Sequence, residues 1–143
     1  MSGLNFELYQ TAMDTAYVQL QVGKGKKNQP SVYIDSNVFD FIKGVIWNKH
    51  REYQSNDRKI NQINNEDWRR ILSGFEEALE ELTASTSSNQ LMKILSIPNH
   101  TTIQVDLVFE QKQAFQQFLK DLILWIKTHL KKEKYILIIQ SNL

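Results

Sequence analysis

Apolar residues recur at intervals of three and four in three stretches of the chain, and each stretch predicts a helix with one buried face. The first stretch follows Asp35 and Ser36, either of which suits the start of a helix. The second follows Asn64 and Asn65, with Asp67 in its first turn. The three apolar stripes are Val38, Phe41, Ile42, Val45, Ile46 and Tyr53; Trp68, Ile71, Leu72, Phe75, Leu79 and Leu82; and Phe115, Phe118, Leu119, Leu122, Ile126 and Leu130.

The N-terminal residues carry two competing patterns. A stripe at helical spacing predicts a helix over residues 4–22, although residues 17–22 also alternate like a strand. A loop rich in glycine and lysine at residues 23–30 and a short strand at residues 31–34 follow. Residues 54–62 are polar, and we interpret them as a connection. The members of the N-terminal stripe are Phe6, Tyr9, Met13, Ala16 and Leu20.

The second half of the chain shows strand-like patterns. Residues 102–109 alternate between apolar and polar side chains, which predicts a half-buried strand. Residues 135–139 form a near-continuous apolar run, typical of a strand covered on both faces. With a helix between them, these two strands imply a parallel, right-handed crossover. Residues 91–97 fit either a strand or a short helix, and if residues 92–97 pair with the first strand through a tight turn, the sheet is mixed. We therefore predict an α+β fold in which N-terminal helices pack with a small mixed β-sheet containing a C-terminal strand–helix–strand unit.

The length of 143 residues is close to the commonest size of a single domain. We expect one domain over residues 1–143, with a helical part at about residues 1–83 and an α/β part at about residues 90–143. The polar stretch at residues 83–89 is the best linker between them. Each part alone is small for an independent core, so the two are expected to share one.

Composition narrows the compartment and the class of partner. Hydrophobic residues make up 41% of the chain and charged residues 23%, as in ordinary folded domains. The chain has no cysteine, which removes disulfides and thiolate metal sites and suits a reducing compartment. Neither a secretory signal nor a stretch long enough to span a membrane is found, so we expect a cytoplasmic protein with no membrane partner. The net charge of +1 counts against nucleic acid as the partner.

Catalytic signatures are missing from the sequence. His50, His100 and His129 are isolated, and no serine lies in a G-x-S-x-G turn. His129 is the most unusual, because it lies beside an apolar stripe near a predicted helix end. A histidine there interacts favourably with the carbonyl end of the helix and can pack its ring. We expect no catalytic residues, no metal site and no cofactor.

One enzymatic alternative remains open. Asp106 lies on the predicted strand at residues 102–109, and Glu110 and Lys112 follow at its end. Two carboxylates and a lysine at a strand end can hold a magnesium ion and stabilise a phosphoryl transition state. The alternative function is therefore a metal-dependent nuclease-like enzyme. A second alternative is a nucleic-acid-binding domain that uses Lys24, Lys26, Lys27 and the lysines of residues 127–134.

The helix predicted after Asn65 carries an acidic cluster away from its apolar stripe: Glu76, Glu77, Glu80 and Glu81. Like charges four residues apart are mildly destabilising, and glutamates near a helix C-terminus oppose the macrodipole. Such a negative surface steers basic partners and speeds association. The simpler interpretation is a solvated helix face, with Glu66 and Asp67 offsetting the arginines that follow them.

A second unusual surface is centred on Trp47, which projects away from the apolar stripe of its helix and has Arg51 as a neighbour. Tryptophan and arginine are enriched at binding hot spots, so an outward Trp47 can anchor a partner. Packing of Trp47 against the first helix or the residues around Ser87 is the alternative. Leu124 is a similar outward apolar residue on the last long helix.

Together these patterns favour a non-enzymatic protein-binding module. Its specific form is an inhibitor or immunity protein that neutralises one bacterial toxin, because an acidic surface complements a basic nuclease-like partner. The residues expected to bind the partner are Glu76, Glu77, Glu80, Glu81, Trp47 and Arg51.

Overall fold

The structure, a computed structural model, describes residues 5–12, 14–23, 29–49, 60–84 and 110–140, and for residues 47–49 it describes the backbone alone. Helices and strands alternate irregularly along these residues. In chain order they are β1 (Tyr17–Val22), β2 (Ser31–Asp35), α1 (Ser36–Phe39), α2 (Lys43–Lys49), β3 (Ile60–Asn64), α3 (Asn65–Ala84), α4 (Lys112–Leu130) and β4 (Tyr135–Gln140). The fold is therefore α+β, as the sequence predicts.

The four described strands form one sheet in the order β2-β1-β4-β3, and each neighbouring pair is antiparallel. Leu20 lies opposite Val32 on one side and Ile138 on the other. The predicted C-terminal strand is confirmed as β4, which lies between β1 and β3 with its central residues buried. Residues 102–109, predicted to pair in parallel with β4, and residues 92–97, predicted to pair with them, lie outside the described residues.

One face of the sheet forms a common core with the helices. Trp68 of α3 and Phe118 of α4 are buried in the same cluster as the inward side chains of all four strands. The indole Nε1 of Trp68 donates a hydrogen bond to the carbonyl oxygen of Ile136 at 3.0 Å, so its polar atom is satisfied inside the core. This bond fixes α3 over β4. The inward strand residues in the cluster are Val18, Leu20, Val32, Ile34, Ile63, Ile136 and Ile138.

The prediction of a helix over residues 4–22 is wrong. Residues 17–22 form β1, and no helix occurs among the described residues that precede it. Tyr9 instead forms an antiparallel bridge to Tyr33 of β2, with backbone N–H···O distances of 3.0 and 2.8 Å. Phe6 stacks on Phe115 of α4, with ring centroids 5.1 Å apart. Tyr9 and Phe6 of this stripe therefore pack separately, against β2 and α4, and tertiary contacts override the local periodicity.

The interpretation of residues 54–62 as a polar connection is also wrong at its end, where β3 begins at Ile60. This strand looks polar because its inward positions include Asn61, which is only 3% exposed, as well as Ile63. Gln62 and Asn64 point outward, and Ile60 is 56% exposed. Only its pairing with β4 identifies it as a strand.

Side-chain caps mark two helix starts as predicted. The N–H of Asn37 donates to Asp35 Oδ1 at 2.8 Å at the start of α1. The N–H of Asp67 donates to Asn64 Oδ1 at 2.8 Å at the start of α3. The helix predicted after Asp35 is divided into α1 and α2 by a turn at residues 40–42.

The two long helices, α3 and α4, pack together and run in opposite directions. The C-terminal end of α3 lies beside the start of α4, where Lys112 Nζ donates to the carbonyl oxygen of Thr83 at 3.2 Å. Farther along the pair, Lys127 of α4 forms an ion pair with Glu76 of α3 at 2.7 Å. Their outward sides together form the outer surface of the helical layer.

Candidate functional site

The outward side of α3 carries the four glutamates predicted to bind a partner. The opposite side of the helix is buried in the core through Trp68, Ile71 and Phe75. Burial of that side forces the intervening residues into solvent, because helix positions repeat every 3.6 residues. We call the exposed set the acidic face: Glu76, Glu77, Glu80 and Glu81.

Only one member of the acidic face is neutralised by a described residue. The ion pair between Glu76 Oε1 and Lys127 Nζ joins two half-exposed side chains. Within the described part of the chain, no ion pair involves Glu77, Glu80 or Glu81. These three carboxylates are exposed to solvent, and no described residue neutralises them.

Local contacts offset the unfavourable charges at both ends of α3. Arg70 near the N-terminus pairs with Asp67 at 2.9 Å and with Glu66 at 3.5 Å, the rescue that the sequence predicts. At the C-terminus, the Lys112 ammonium group contacts the carbonyl oxygen of Thr83, where the macrodipole favours a cation. The repulsion that remains lies between glutamates four residues apart, which costs about 0.2–0.5 kcal/mol per pair.

A groove between α3 and α4 adjoins the acidic face. Its cavity has a volume of about 390 Å³, with Leu72 and Leu130 on its floor. Arg69 and Lys131 at its rim are exposed, and neither forms an ion pair with any other described residue. We call it the basic groove; Arg69, Leu72, Ser73, Glu76, Lys127, Leu130 and Lys131 line it.

An apolar patch lies on the other side of α4. Leu124 is 66% exposed, and the half-buried Trp125 ring contacts the His129 ring at a centroid distance of 4.6 Å. Together with Leu8 these residues line a cavity of about 330 Å³. The apolar patch is defined as Leu8, Leu124, Trp125 and His129.

Sequence patterns single out Leu124 and His129 but do not predict that they lie together with Trp125 and Leu8. The spacing of four along α4 is a signal that Trp125 and His129 are neighbours, whereas the position of Leu124 beside them carries no such signal. Leu8 reaches them only because the N-terminal residues follow β2 and α4, contrary to the predicted helix. No local pattern in the sequence predicts contacts of this kind.

Burial lowers the pKa of His129 below its usual value of 6.5, while the nearby charge of Glu133 acts in the opposite direction. The direction matches the position of the ring against Trp125, because an apolar surrounding disfavours the charged form. At neutral pH the apolar patch therefore presents an uncharged imidazole.

Within its described part, the structure does not bring the other predicted site residues together. The side chains of Trp47 and Arg51 and the whole of Asp106 lie outside the description, as do Lys24, Lys26 and Lys27. Lys112 contacts the end of α3, and Glu110 is exposed just before α4. Among the described residues, no group of three or more histidine or acidic side chains could hold a metal ion.

Comparison with protein-family models, curated proteins and solved structures finds no match to this chain. None of the described helices is both long and apolar enough to cross a membrane. The functional argument therefore depends on the surfaces of this molecule alone.

Proposed function

We propose that this protein is a non-enzymatic protein-binding module that receives a basic partner on the acidic face of α3. The observation that carries the proposal is the exposure of Glu77, Glu80 and Glu81 without a neutralising partner among the described residues. Their mutual repulsion slightly destabilises α3. A surface that lowers the stability of the fold is explained if it contributes to binding a partner.

Electrostatic attraction explains what such a surface contributes. Exposed like charges on one helix face create a local negative potential, which raises the rate at which a basic protein associates. Because the net charge of the chain is only +1, this potential is local to α3 and orients the partner. The effect weakens with salt, since charges farther apart than about 8 Å are largely screened at physiological ionic strength.

The apolar patch supports the same class of function. Leu124 and Trp125 expose apolar surface on the helical layer that also carries the acidic face. Buried aromatic side chains supply much of the binding free energy in protein interfaces, whereas charges at the rim mainly affect association rate. We assign anchoring to the apolar patch and steering to the acidic face.

The specific form that we propose is an inhibitor or immunity protein that neutralises a bacterial toxin. A toxin that acts on nucleic acid needs a basic surface to bind phosphates. An acidic helix face is complementary to such a surface and can block it without any chemistry of its own. Charge complementarity is the support for this form.

The test uses the full chain and two variants with equal changes in net charge. The first variant reverses the acidic face, with Glu77→Lys, Glu80→Lys and Glu81→Lys. The control reverses three exposed acidic residues elsewhere, with Glu7→Lys, Asp14→Lys and Glu110→Lys. Proteins retained from lysate of the native organism are identified by mass spectrometry, and binding of the purified partner is then measured at several salt concentrations.

We expect one basic protein to be retained at equal stoichiometry by the wild type and the control. Reversal of the acidic face should lower the association rate by about tenfold or more at low salt. Equal binding by both variants would exclude the acidic face as the interface. Retention of no protein, together with magnesium-dependent nuclease activity that Glu110→Ala abolishes, would overturn the proposal in favour of an enzyme.

A further inference from the structure

The exposed side of α3 carries open charges of opposite sign towards its two ends. Arg69 lies in the N-terminal half, and Glu80 lies in the C-terminal half. Eleven residues separate them, which corresponds to about 16 Å along the axis and only about 20° around it. Both therefore lie on one stripe of the helix, and neither forms an ion pair with another described residue.

Charged residues beside Arg69 and beside Glu80 increase this separation of positive from negative charge. Lys131, directly after α4, shares the basic groove with Arg69, so two cations without an ion pair to any described residue lie at one end. Glu77 and Glu81 flank Glu80 at the other end, so three open carboxylates lie there. Within one molecule these groups are too far apart to meet, since an ion pair requires a separation of about 4 Å.

We propose that this surface binds a second copy of the chain, with the two α3 helices antiparallel. A two-fold axis at the level of Phe75 has Arg69 about 8 Å on one side and Glu80 about 8 Å on the other. An antiparallel copy therefore brings the partner's Glu80 to Arg69 and Lys131, and the same contact occurs again in the other direction. Such repetition of one patch is the property of an isologous dimer.

Near the two-fold axis of this dimer, no two unpaired charges of the same sign face each other. Glu76 lies closest to the axis, and its carboxylate is already paired with Lys127 at 2.7 Å. Ser73 and Glu77 lie at equal distances on either side of Phe75, so the hydroxyl of Ser73 meets the partner's Glu77. Ser73 is small and exposed, which allows the two helices to approach closely.

The dimer should be weak and sensitive to salt. Exposed ion pairs contribute little individually, and the paired faces of α3 hold no large exposed apolar side chain. We expect a dissociation constant on the order of 0.1–1 mM at low salt. Raising the salt concentration from about 25 mM to about 300 mM should increase that constant at least tenfold, because it shortens the screening length.

Self-association of this kind covers the acidic face that we propose for a basic partner. The inference does not depend on that function, since it needs only the purified chain. If both are correct, the partner and the second copy compete for α3, and a concentrated solution of the chain binds its partner more slowly.

Two charge variants give the decisive experiment. The acidic variant carries Arg69→Glu and Lys131→Glu, and the basic variant carries Glu77→Lys, Glu80→Lys and Glu81→Lys. Sedimentation equilibrium at low salt measures the association of the wild type, of each variant and of their equimolar mixture. Circular dichroism and thermal melts verify that each variant is folded.

We expect each variant alone to be monomeric where the wild type dimerises. Their mixture should form a heterodimer at least as tight as the wild-type dimer, because every cross contact again joins opposite charges and the two variants also carry opposite net charges. A wild type that stays monomeric at low salt and about 1 mM concentration would overturn the proposal. So would variants that dimerise like the wild type, or a mixture that does not associate.

Discussion

The two long helices, α3 and α4, are nearly equal in length and are alike on their buried sides but different on their outward sides. Each places a complete apolar stripe into the same core. The outward side of α3 is charged, whereas α4 exposes Leu124 and part of Trp125. Folding therefore constrains the inner faces of the two helices in the same way and leaves their outer faces free to differ.

The largest expected effect concerns the faces that the helices share. Trp68→Ala in α3 and Phe118→Ala in α4 should each lower the free energy of unfolding by about 3–5 kcal/mol, because each leaves a cavity in the core. Trp68→Ala also leaves the carbonyl oxygen of Ile136 without its indole donor. Urea denaturation of both variants measures the two losses. A loss below about 1 kcal/mol in either one would show that the helices do not share the core equally.

A smaller difference is expected at the helix starts. Asn64 caps α3 with its side chain, whereas Gln111 makes no side-chain capping bond at the start of α4. Asn64→Ala should therefore lower the free energy of unfolding by about 1 kcal/mol, and Gln111→Ala should lower it less, because no side-chain capping bond is lost. Equal losses would mean that capping does not distinguish the two helices. Chemical denaturation is sufficient for this measurement.

Substitutions on the outer faces should have the smallest effects on stability, with a definite sign on α3. Glu81→Lys removes a repulsion with Glu77 and places a cation near the helix C-terminus, so the free energy of unfolding should rise by about 0.3–1 kcal/mol. Leu124→Lys on α4 should change it by less than about 0.5 kcal/mol, since the side chain is 66% exposed. Destabilisation by Glu81→Lys would show that the acidic face has a structural role.

The pH dependence of stability is a further property of α4, which carries His129. The pKa of His129 lies below 6.5 in the folded protein, so the fold favours the neutral ring. Its contribution to stability is fully present above pH 6.5 and is lost as the pH falls through the folded pKa. NMR titration of His129 and the loss of this pH dependence in His129→Gln test it. A pKa above 6.5 in the folded protein would contradict the assignment.

The accuracy of sequence-based prediction differs along the chain for physical reasons. α3 and α4 are predictable because one face of each is buried along the helix, and β4 is predictable because its central residues Ile136, Leu137 and Ile138 are all apolar and buried. The residues before β1 are not, because Phe6 and Tyr9 pack against different elements and imitate a helical stripe, whereas β1 itself shows the strand alternation of residues 17–22 beside that stripe. β3 is missed since a buried Asn61 disguises its inward face.

Some features of the candidate surfaces also follow from the sequence, whereas others depend on tertiary contacts. The exposure of the glutamates follows from helix geometry, because a stripe beginning at Trp68 leaves them no place in the core. The neutralisation of Glu76 does not follow from helix geometry, since Lys127 reaches Glu76 only when α4 lies antiparallel to α3. The apolar patch is anticipated at Leu124 and His129 but depends on Leu8, which is distant in sequence.

The sequence by itself determined the α+β class, the two long helices, the C-terminal strand, two helix caps and the outward position of the acidic residues. Each of these depends on local periodicity or on contacts between residues a few positions apart. Tertiary structure alone decided the antiparallel sheet order, the path of the N-terminal residues, and which charges of α3 are paired. Those features depend on residues far apart in the chain, whose contacts are favourable only after the whole core has formed.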